Sequence, residues 1–336
     1  MSKIMKEAHI RPPELKQKQE SALLKDVGKL LSRYDEFVEC WCPACSSKSR
    51  DYKFQKKGFH YWECTECQTV YINPRPDEKL LGWFYGISEV YKYWNQTIFP
   101  ETNEARKEKI IIPRVDRIID ICDSYDIKRN SLLEIGSGYG TFLEEIQNRN
   151  AFKHILGLEP SADLAQTCKS RGLNIIETPI EQYSESSDEF YDVIVSFEVL
   201  EHLADPKSFV RRCHNLLKKG GLLVLTCPNG KGFDVLELGI NSDTFDHEHL
   251  NYFNPSSMEL MLKDEDFQVL EIITPGKLDA EIVRTKALEN QQESLKSEFL
   301  NFILCKNWES SGDTFQEFLA NNKLSSHMWS IARKNT

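Results

Sequence analysis

Four cysteines and two short runs of histidine and carboxylate residues have the types and spacing to do chemistry. Cys42-Pro43-Ala44-Cys45 and Cys64-Thr65-Glu66-Cys67 are two Cys-x-x-Cys pairs separated by 18 residues. Each pair can present two thiolates to one ion, and two pairs complete a tetrahedral four-sulfur zinc site; with no open position, such a site is structural. A redox role would need a thioredoxin-like pattern, which is absent around both pairs. Asp246-His247-Glu248-His249 sets two histidines around an acid. Histidine is the commonest general base near neutral pH. His249 is the leading candidate for that role, with Glu248 or Asp246 to orient it and His247 beside it. In Glu198-Val199-Leu200-Glu201-His202, a helical turn would put Glu198 and His202 on one face, with Glu201 beside them.

A glycine loop is the next signal. Leu132-Leu133-Glu134-Ile135-Gly136-Ser137-Gly138-Tyr139-Gly140-Thr141-Phe142-Leu143 reads as apolar strand, turn and amphipathic helix. Glycine serves where the backbone takes unusual dihedrals or passes close to a ligand. The turn leads to a helix N-terminus, whose free N–H groups favour a polar or anionic ligand. The dinucleotide fingerprint has the spacing Gly-x-Gly-x-x-Gly, whereas this loop has Gly-x-Gly-x-Gly after Glu134.

That version resembles motif I of the class I S-adenosylmethionine (SAM) methyltransferases. Three more segments resemble the family's motifs in the same order: Ile155–Ser161 ending a strand at Glu159, Tyr191–Leu203 running through Phe197, and Leu216–Gly230 with its Gly-Gly turn. The resemblance implies that Gly136, Gly138 and Gly140 let the backbone approach SAM, with Glu134 shaping the loop. It implies that Glu159 holds the ribose hydroxyls and that Ile180, Glu181 and Phe197 lie near the cofactor. The Glu-x-x-Glu-His run, Glu198 to His202, is similar to one in quinone-biosynthesis O-methyltransferases, where it is linked to a divalent metal. His247-Glu248-His249-Leu250 with Tyr252-Phe253 resembles a segment of zinc-containing deoxysugar C-methyltransferases. His249 matches that family's basic histidine, but Asp246 stands where the family has a tyrosine, which favours O- or N-methylation over C-methylation. The cysteine ribbon followed by Asn73-Pro74-Arg75-Pro76 resembles the front end of bacterial methyltransferases of sugar and glycan pathways.

These residues need elements to hold them. Strands are expected at 131–135, 154–158, 173–176, 191–196 and 221–227, and helices at 140–149, 162–170 and 206–218. Their alternation implies an α/β, Rossmann-like parallel sheet, with ligands at the carboxyl ends of its strands. The expected organisation is an N-terminal helical segment over 1–39, a zinc ribbon over 40–76, a helical lid or linker over 77–130, the SAM-binding domain over 131–275, and a C-terminal helical extension with a final strand over 276–336. Aromatic residues over 79–97 suit a lid or core packing between ribbon and main domain. Residues 104–125 read as a helix that Pro113 kinks or divides.

Composition narrows the class. With 336 residues and 40% hydrophobic residues the chain can bury a large core, and a net charge of −10 argues against general nucleic-acid binding. No run reaches the length of a membrane helix and the first residues lack a signal-peptide pattern, so a cytoplasmic protein is expected. The other cysteines of the ten read as reduced, mostly buried thiols. The expected function is methyl transfer from SAM to a small polar acceptor, with a sugar nucleotide or glycan precursor favoured. A quinol or catechol acceptor with a metal at Glu198, Glu201 and His202 is the first alternative. A zinc-ribbon scaffold or SAM sensor without catalysis is the second.

Overall fold

The computed structural model describes residues 12–184, 190–289, 295 and 297–335. The stretch read for a signal peptide lies outside them. Helix α1 (Pro13–Leu31) leads into a ribbon of three antiparallel strands, β1 (Arg50–Lys56), β2 (Phe59–Cys64) and β3 (Val70–Ile72). Helix α2 (Glu78–Ile87) follows. Three helices, α3 (Glu89–Tyr93), α4 (Phe99–Arg106) and α5 (Ile112–Ser124), join through π turns at Trp94–Ile98 and Lys107–Ile111 into one helical run. Pro100 and Pro113 each sit in the first turn after a π turn. Proline lacks the N–H and clashes with the preceding turn, and the wider π turn accommodates it. The helix therefore starts earlier than residue 104 and continues through both prolines.

The main domain alternates as expected: β4 (Ser131–Ile135), α6 (Thr141–Asn148), β5 (His154–Leu158), α7 (Ala162–Ser170), β6 (Ile175–Ile176), β7 (Tyr191–Phe197), α8 (Pro206–Leu216) and β8 (Leu217–Pro228). Then come α9 (Phe233–Leu238), β9 (Asn251–Tyr252), α10 (Pro255–Asp264), β10 (Phe267–Ile273), α11 (Asp279–Glu289), α12 (Glu298–Asn301), α13 (Trp308–Asn321) and β11 (His327–Lys334). Seven strands form one sheet in the order β10-β11-β8-β7-β4-β5-β6. All neighbours from β8 to β6 are parallel, while β11 runs antiparallel between β8 and β10. The chain moves outward from β4 to β6, then returns to β7 on the other side of β4. This leaves a crevice at the carboxyl ends of β4 and β7, where open α/β sheets bind ligands. Strand β4 is buried along its whole length, as a two-sided parallel strand must be.

The ribbon does not close on itself. Its sheet runs β1-β2-β3-β9, so its fourth strand comes from the main domain, through Val70 opposite Tyr252 and Tyr71 opposite Asn251. Arg75, itself buried, fixes the corner by donating to Asn251 Oδ1 and to the Ala204 carbonyl, both at 2.6 Å. Among the described residues no helix is long and apolar enough to cross a membrane.

Helix α1 docks through one buried carboxylate. Asp26 accepts hydrogen bonds from Ser88 Oγ at 2.6 Å and from the Glu89 and Val90 amides at 3.0 Å, with Lys29 Nζ at 3.2 Å. It thus supplies a cap for α3 from another helix. Burial alone would raise its pKa, but the bonds from Ser88, Val90, Glu89 and Lys29 outweigh it and hold the carboxyl below 3.8. A carboxyl depressed on folding adds stability above its unfolded pKa and loses it as pH falls through the folded value. Asp26→Ala should therefore cost about 2 kcal/mol in denaturant unfolding at pH 7. The gap from wild type should shrink once pH drops below about 4.

Candidate functional site

The glycine loop sits at the head of the β4/β7 crevice. Gly136, Gly138 and Gly140 all have positive φ, at 78°, 54° and 77°. A side chain on Gly136 would lie 2.4 Å from Val199 Cγ2, whereas one on Gly138 would meet only open space. The first glycine is thus required by packing and the second by backbone conformation beside a vacant approach. Glu159, at the end of β5, accepts from the Gly138 amide at 2.7 Å and from the Ser161 amide at 2.9 Å. Burial raises its pKa, against the pull of the two amides. Glu134 is buried beneath the loop with Oε2 unpartnered, and burial pushes its pKa up to about 8. The run α3–α5 covers the loop: Phe99 stacks on Tyr139 at 5.5 Å, and Thr141 Oγ1 donates to Asn103 Oδ1 at 3.1 Å. Ile180 is buried in the core after β6, Glu181 is exposed beside it, and Phe197 is buried at the end of β7.

The two acid–histidine runs meet next to the loop. Glu201, His202 and His249 bring one carboxylate oxygen and two ring nitrogens within 4.8 Å of one another. The His202 and His249 rings lie 4.8 Å apart. His202 Nδ1 is 2.9 Å from the Glu248 carbonyl and His249 Nδ1 is 3.0 Å from the Thr244 carbonyl. A carbonyl only accepts, so each Nδ1 carries the proton, which leaves Nε2 as the nitrogen available to a ligand. Burial, helped by the neighbouring His249, lowers the His202 pKa to about 4, so the ring is neutral at pH 7. Both Glu201 oxygens are buried without a partner, and burial with the nearby Glu198 charge holds its pKa well above 4.5. A carboxyl group and two imidazoles facing one another make a set that could hold a divalent ion. Glu198 stands outside this triplet: its Oε1 accepts from Thr226 Oγ1 at 2.6 Å instead.

The remaining members of the Asp246–His249 run support the pair. Asp246 Oδ1 accepts from the Glu248 and His249 amides, both at 2.9 Å, which shapes the turn that presents His249. Burial would raise the Asp246 pKa, but His249 and His247 more than offset it. His247 is buried between the rings of Phe59 and Phe84, at 6.2 and 5.9 Å, with both nitrogens unpartnered. Its Nε2 lies 3.9 Å from Glu248 Oε1, which is also buried and unpartnered. The aromatic stretch after the ribbon splits in two: Leu80, Leu81 and Phe84 are core, while Tyr85 and Tyr91 feel the Glu248 charge.

The ribbon holds this loop from outside. Tyr61 donates to the Asp246 carbonyl at 2.8 Å, Lys56 to the Ser242 carbonyl at 2.7 Å, and Asn254 Nδ2 to the Cys67 carbonyl at 2.9 Å. Cys42, Cys45, Cys64 and Cys67 converge, with Sγ–Sγ separations of 3.4 Å for Cys42–Cys67 and 3.5 Å for Cys45–Cys64. Cys40 stays outside the cluster, and its amide donates to Asn73.

Two groups escaped the sequence reading. Arg114, from α5, lays its guanidinium 4.2 Å over the Phe197 ring with Nε buried and unpartnered, between the charges of Glu198 and Glu134. His327, from β11, brings Nδ1 to 3.4 Å from Glu198 Oε1. A part-buried arginine in an amphipathic helix and a histidine in a late strand leave no mark in local spacing.

A family model described as "Methyltransferase domain" matches residues 103–272. The ubiquinone biosynthesis O-methyltransferase of Glaesserella parasuis is 29% identical over 159 residues, covering 42% of this chain and 66% of the relative. The protein of the same name from Shewanella is 24% identical, covering 40% of this chain and 62% of the relative. The chain thus spans less than two thirds of the length of these curated relatives. Among solved structures, a possible histamine N-methyltransferase from Thermotoga maritima is 12% identical with a TM-score of 0.47, covering 73% of this chain and 99% of that one.

The Glu159 geometry generates a direct expectation. Glu159→Ala removes the acceptor of two loop amides and the carboxylate available to a ribose. Equilibrium dialysis should show at least a tenfold loss of SAM affinity, about 1.4 kcal/mol, in protein that circular dichroism shows to be folded.

Proposed function

Because the chain belongs to the methyltransferase-domain family, we propose that it transfers a methyl group from SAM to a hydroxyl of a small acceptor, with a divalent ion held by Glu201, His202 and His249. The observation that carries the metal-assisted form is the convergence of one unpartnered carboxyl group and one ring nitrogen from each of two histidines. SAM, when bound, supplies an electrophilic methyl group on a sulfonium. A divalent ion, when bound, lowers the pKa of a coordinated hydroxyl.

The chain's own residues do the rest. Gly138 leaves the loop backbone open to the cofactor, and Glu159 takes the ribose hydroxyls. Arg114 is a part-buried cation beside the loop and suits the carboxylate of the cofactor's amino-acid arm. Glu201, His202 and His249 hold the ion, and the carbonyls of Glu248 and Thr244 keep the two rings in the ligating tautomer. The α3–α5 run over Tyr139 excludes water. The relatives' name supports a hydroxylated ring precursor as acceptor. The sugar nucleotide or glycan precursor expected from sequence has no counterpart in those names, and the triplet suits an acceptor with two adjacent oxygens.

The ribbon cluster fits zinc. Four thiolates about 2.3 Å from one ion stand about 3.8 Å apart, and the sulfurs already approach that spacing. In this role Cys42, Cys45, Cys64 and Cys67 stiffen the ribbon that braces residues 242–254.

Methyl transfer from labelled SAM to a catechol probe tests the function. Transfer should rise at least tenfold with added Mg2+ or Mn2+ and fall at least a hundredfold in Glu201→Gln and His202→Ala, with SAM binding kept. Transfer indifferent to both ions and both variants would sink the metal-assisted reading. Label in a sugar nucleotide but not the catechol would overturn the acceptor class.

Elemental analysis tests the ribbon separately. One zinc per chain is expected, lost in Cys64→Ser together with methyl transfer while SAM still binds. Full activity in a zinc-free chain would rule out the bracing role.

A further inference from the structure

Glu198 is built into an arrangement that the metal triplet does not use. It is the first residue beyond β7 and has φ of 55°, a left-handed conformation that a glutamate adopts only when its surroundings impose it. Its amide donates to the Thr226 carbonyl at 3.0 Å. Its Oε1 takes Thr226 Oγ1 at 2.6 Å and faces His327 Nδ1 at 3.4 Å. Its Oε2 has no hydrogen-bond partner among the described residues, and the side chain keeps 41% of its surface accessible.

The histidine is fixed in turn. Trp329 Nε1 donates to His327 Nε2 at 3.0 Å. An indole N–H only donates, so Nε2 is the acceptor and Nδ1 carries the proton toward Glu198. His327 and Trp329 are two apart on β11 and share a face. Trp329 pairs across the sheet with Thr226, which pairs with Phe197 on β7. Three strands in register thus align Trp329, Thr226 and Phe197, with His327 opposite Pro228 and Glu198 one residue past Phe197, all at the same end of the sheet.

This row borders the cofactor loop. Val199, next to Glu198, fills the space where a Gly136 side chain would stand. Arg114 lies over the Phe197 ring with its charge reaching Glu198, and the two do not close into an ion pair among the described residues. An unpaired carboxylate oxygen and a part-buried guanidinium beside the same glycine loop complement an α-amino-acid zwitterion: carboxylate on arginine, ammonium on glutamate.

We propose that His327, anchored by Trp329, is a positioning residue that turns Glu198 so that its free oxygen pairs with the ammonium of the cofactor's amino-acid arm. The inference rests on the SAM-dependent reading above and adds to it the group that binds the amine. It also separates Glu198 from the metal triplet that follows it in sequence.

Calorimetric binding of S-adenosylhomocysteine, which carries the amino-acid arm, and of 5′-methylthioadenosine, which lacks it, tests the proposal. Glu198→Gln should weaken the first about tenfold and change the second less than twofold. His327→Phe should weaken the first three- to tenfold, while His327→Asn, which keeps a donor, should restore wild-type binding within twofold. The double variant Glu198→Gln/His327→Phe should bind no worse than Glu198→Gln, because a positioning residue has nothing left to position. Equal losses for both ligands, no loss in Glu198→Gln, or full additivity in the double variant would overturn the inference. A wild-type protein that binds neither ligand would instead refute the cofactor reading on which it rests.

Discussion

Backbone hydrogen bonds between β3 and the Leu250–Tyr252 segment hold the rest of the active-site side together. The Ile72 amide donates to the Leu250 carbonyl at 3.0 Å, and the Leu250 amide donates to the Glu201 carbonyl at 2.7 Å. One short stretch therefore ties the cysteine ribbon to both acid–histidine runs. Asn251 fills the gap, its Nδ2 donating to the Leu203 carbonyl at 2.8 Å and its Oδ1 accepting from Arg75. Buried backbone groups must be paired. If the Leu250–Tyr252 segment moved, the carbonyls of Leu200, Glu201 and Leu203 and the guanidinium of Arg75 would all lose partners at once. That shared penalty holds His202 and His249 in register although they come from separate loops.

Electrostatics at the site follow from this enclosure. Acids and histidines are brought into a space where ionisation is costly, and they respond in opposite directions. Glu201 and Glu248 are pushed toward the neutral acid, His202 and His247 toward the neutral base, while the Asp246 pKa is lowered because, against burial, His249 lies beside it and the His249 amide donates to it. A bound cation would reverse the preference of Glu201 and suit the neutral imidazoles. Glu198 lies on the other side of this boundary. It shares a sequence run with Glu201 and His202, but its left-handed backbone turns it toward Thr226 and His327.

The covering helices show a related economy. Two prolines that would break an α-helix are carried by two π turns, and between them Phe99 and Asn103 reach the glycine loop. π turns inside helices recur at functional positions, and here they let one helical run start on α1 through Asp26 and end beneath β4.

Much of this was legible in local sequence. The Cys-x-x-Cys spacing, the glycine loop and the alternation of apolar strands with amphipathic helices depend on residues close in the chain, and the elements fell within a few residues of expectation. Strand β8 ran longer than 221–227, from Leu217 to Pro228, because it pairs with both β7 and β11. The helix expected from residue 104 became part of a longer run because the π turns, which single-residue propensities do not signal, absorbed its prolines. Strand β9 is only two residues long and exists because β3 pairs with it, so no periodicity could announce it. That Glu198 turns away from Glu201 and His202 was likewise invisible, since an i, i+4 rule assumes a helix that the left-handed Glu198 backbone does not form. By itself, then, the sequence determined the sheet, the cofactor loop and the four-sulfur cluster, whose signals are local dihedral and spacing requirements. Only the tertiary structure decided that His249 joins Glu201 and His202, that Arg114 lies beside the loop and that His327 faces Glu198, because those contacts depend on which strands lie side by side.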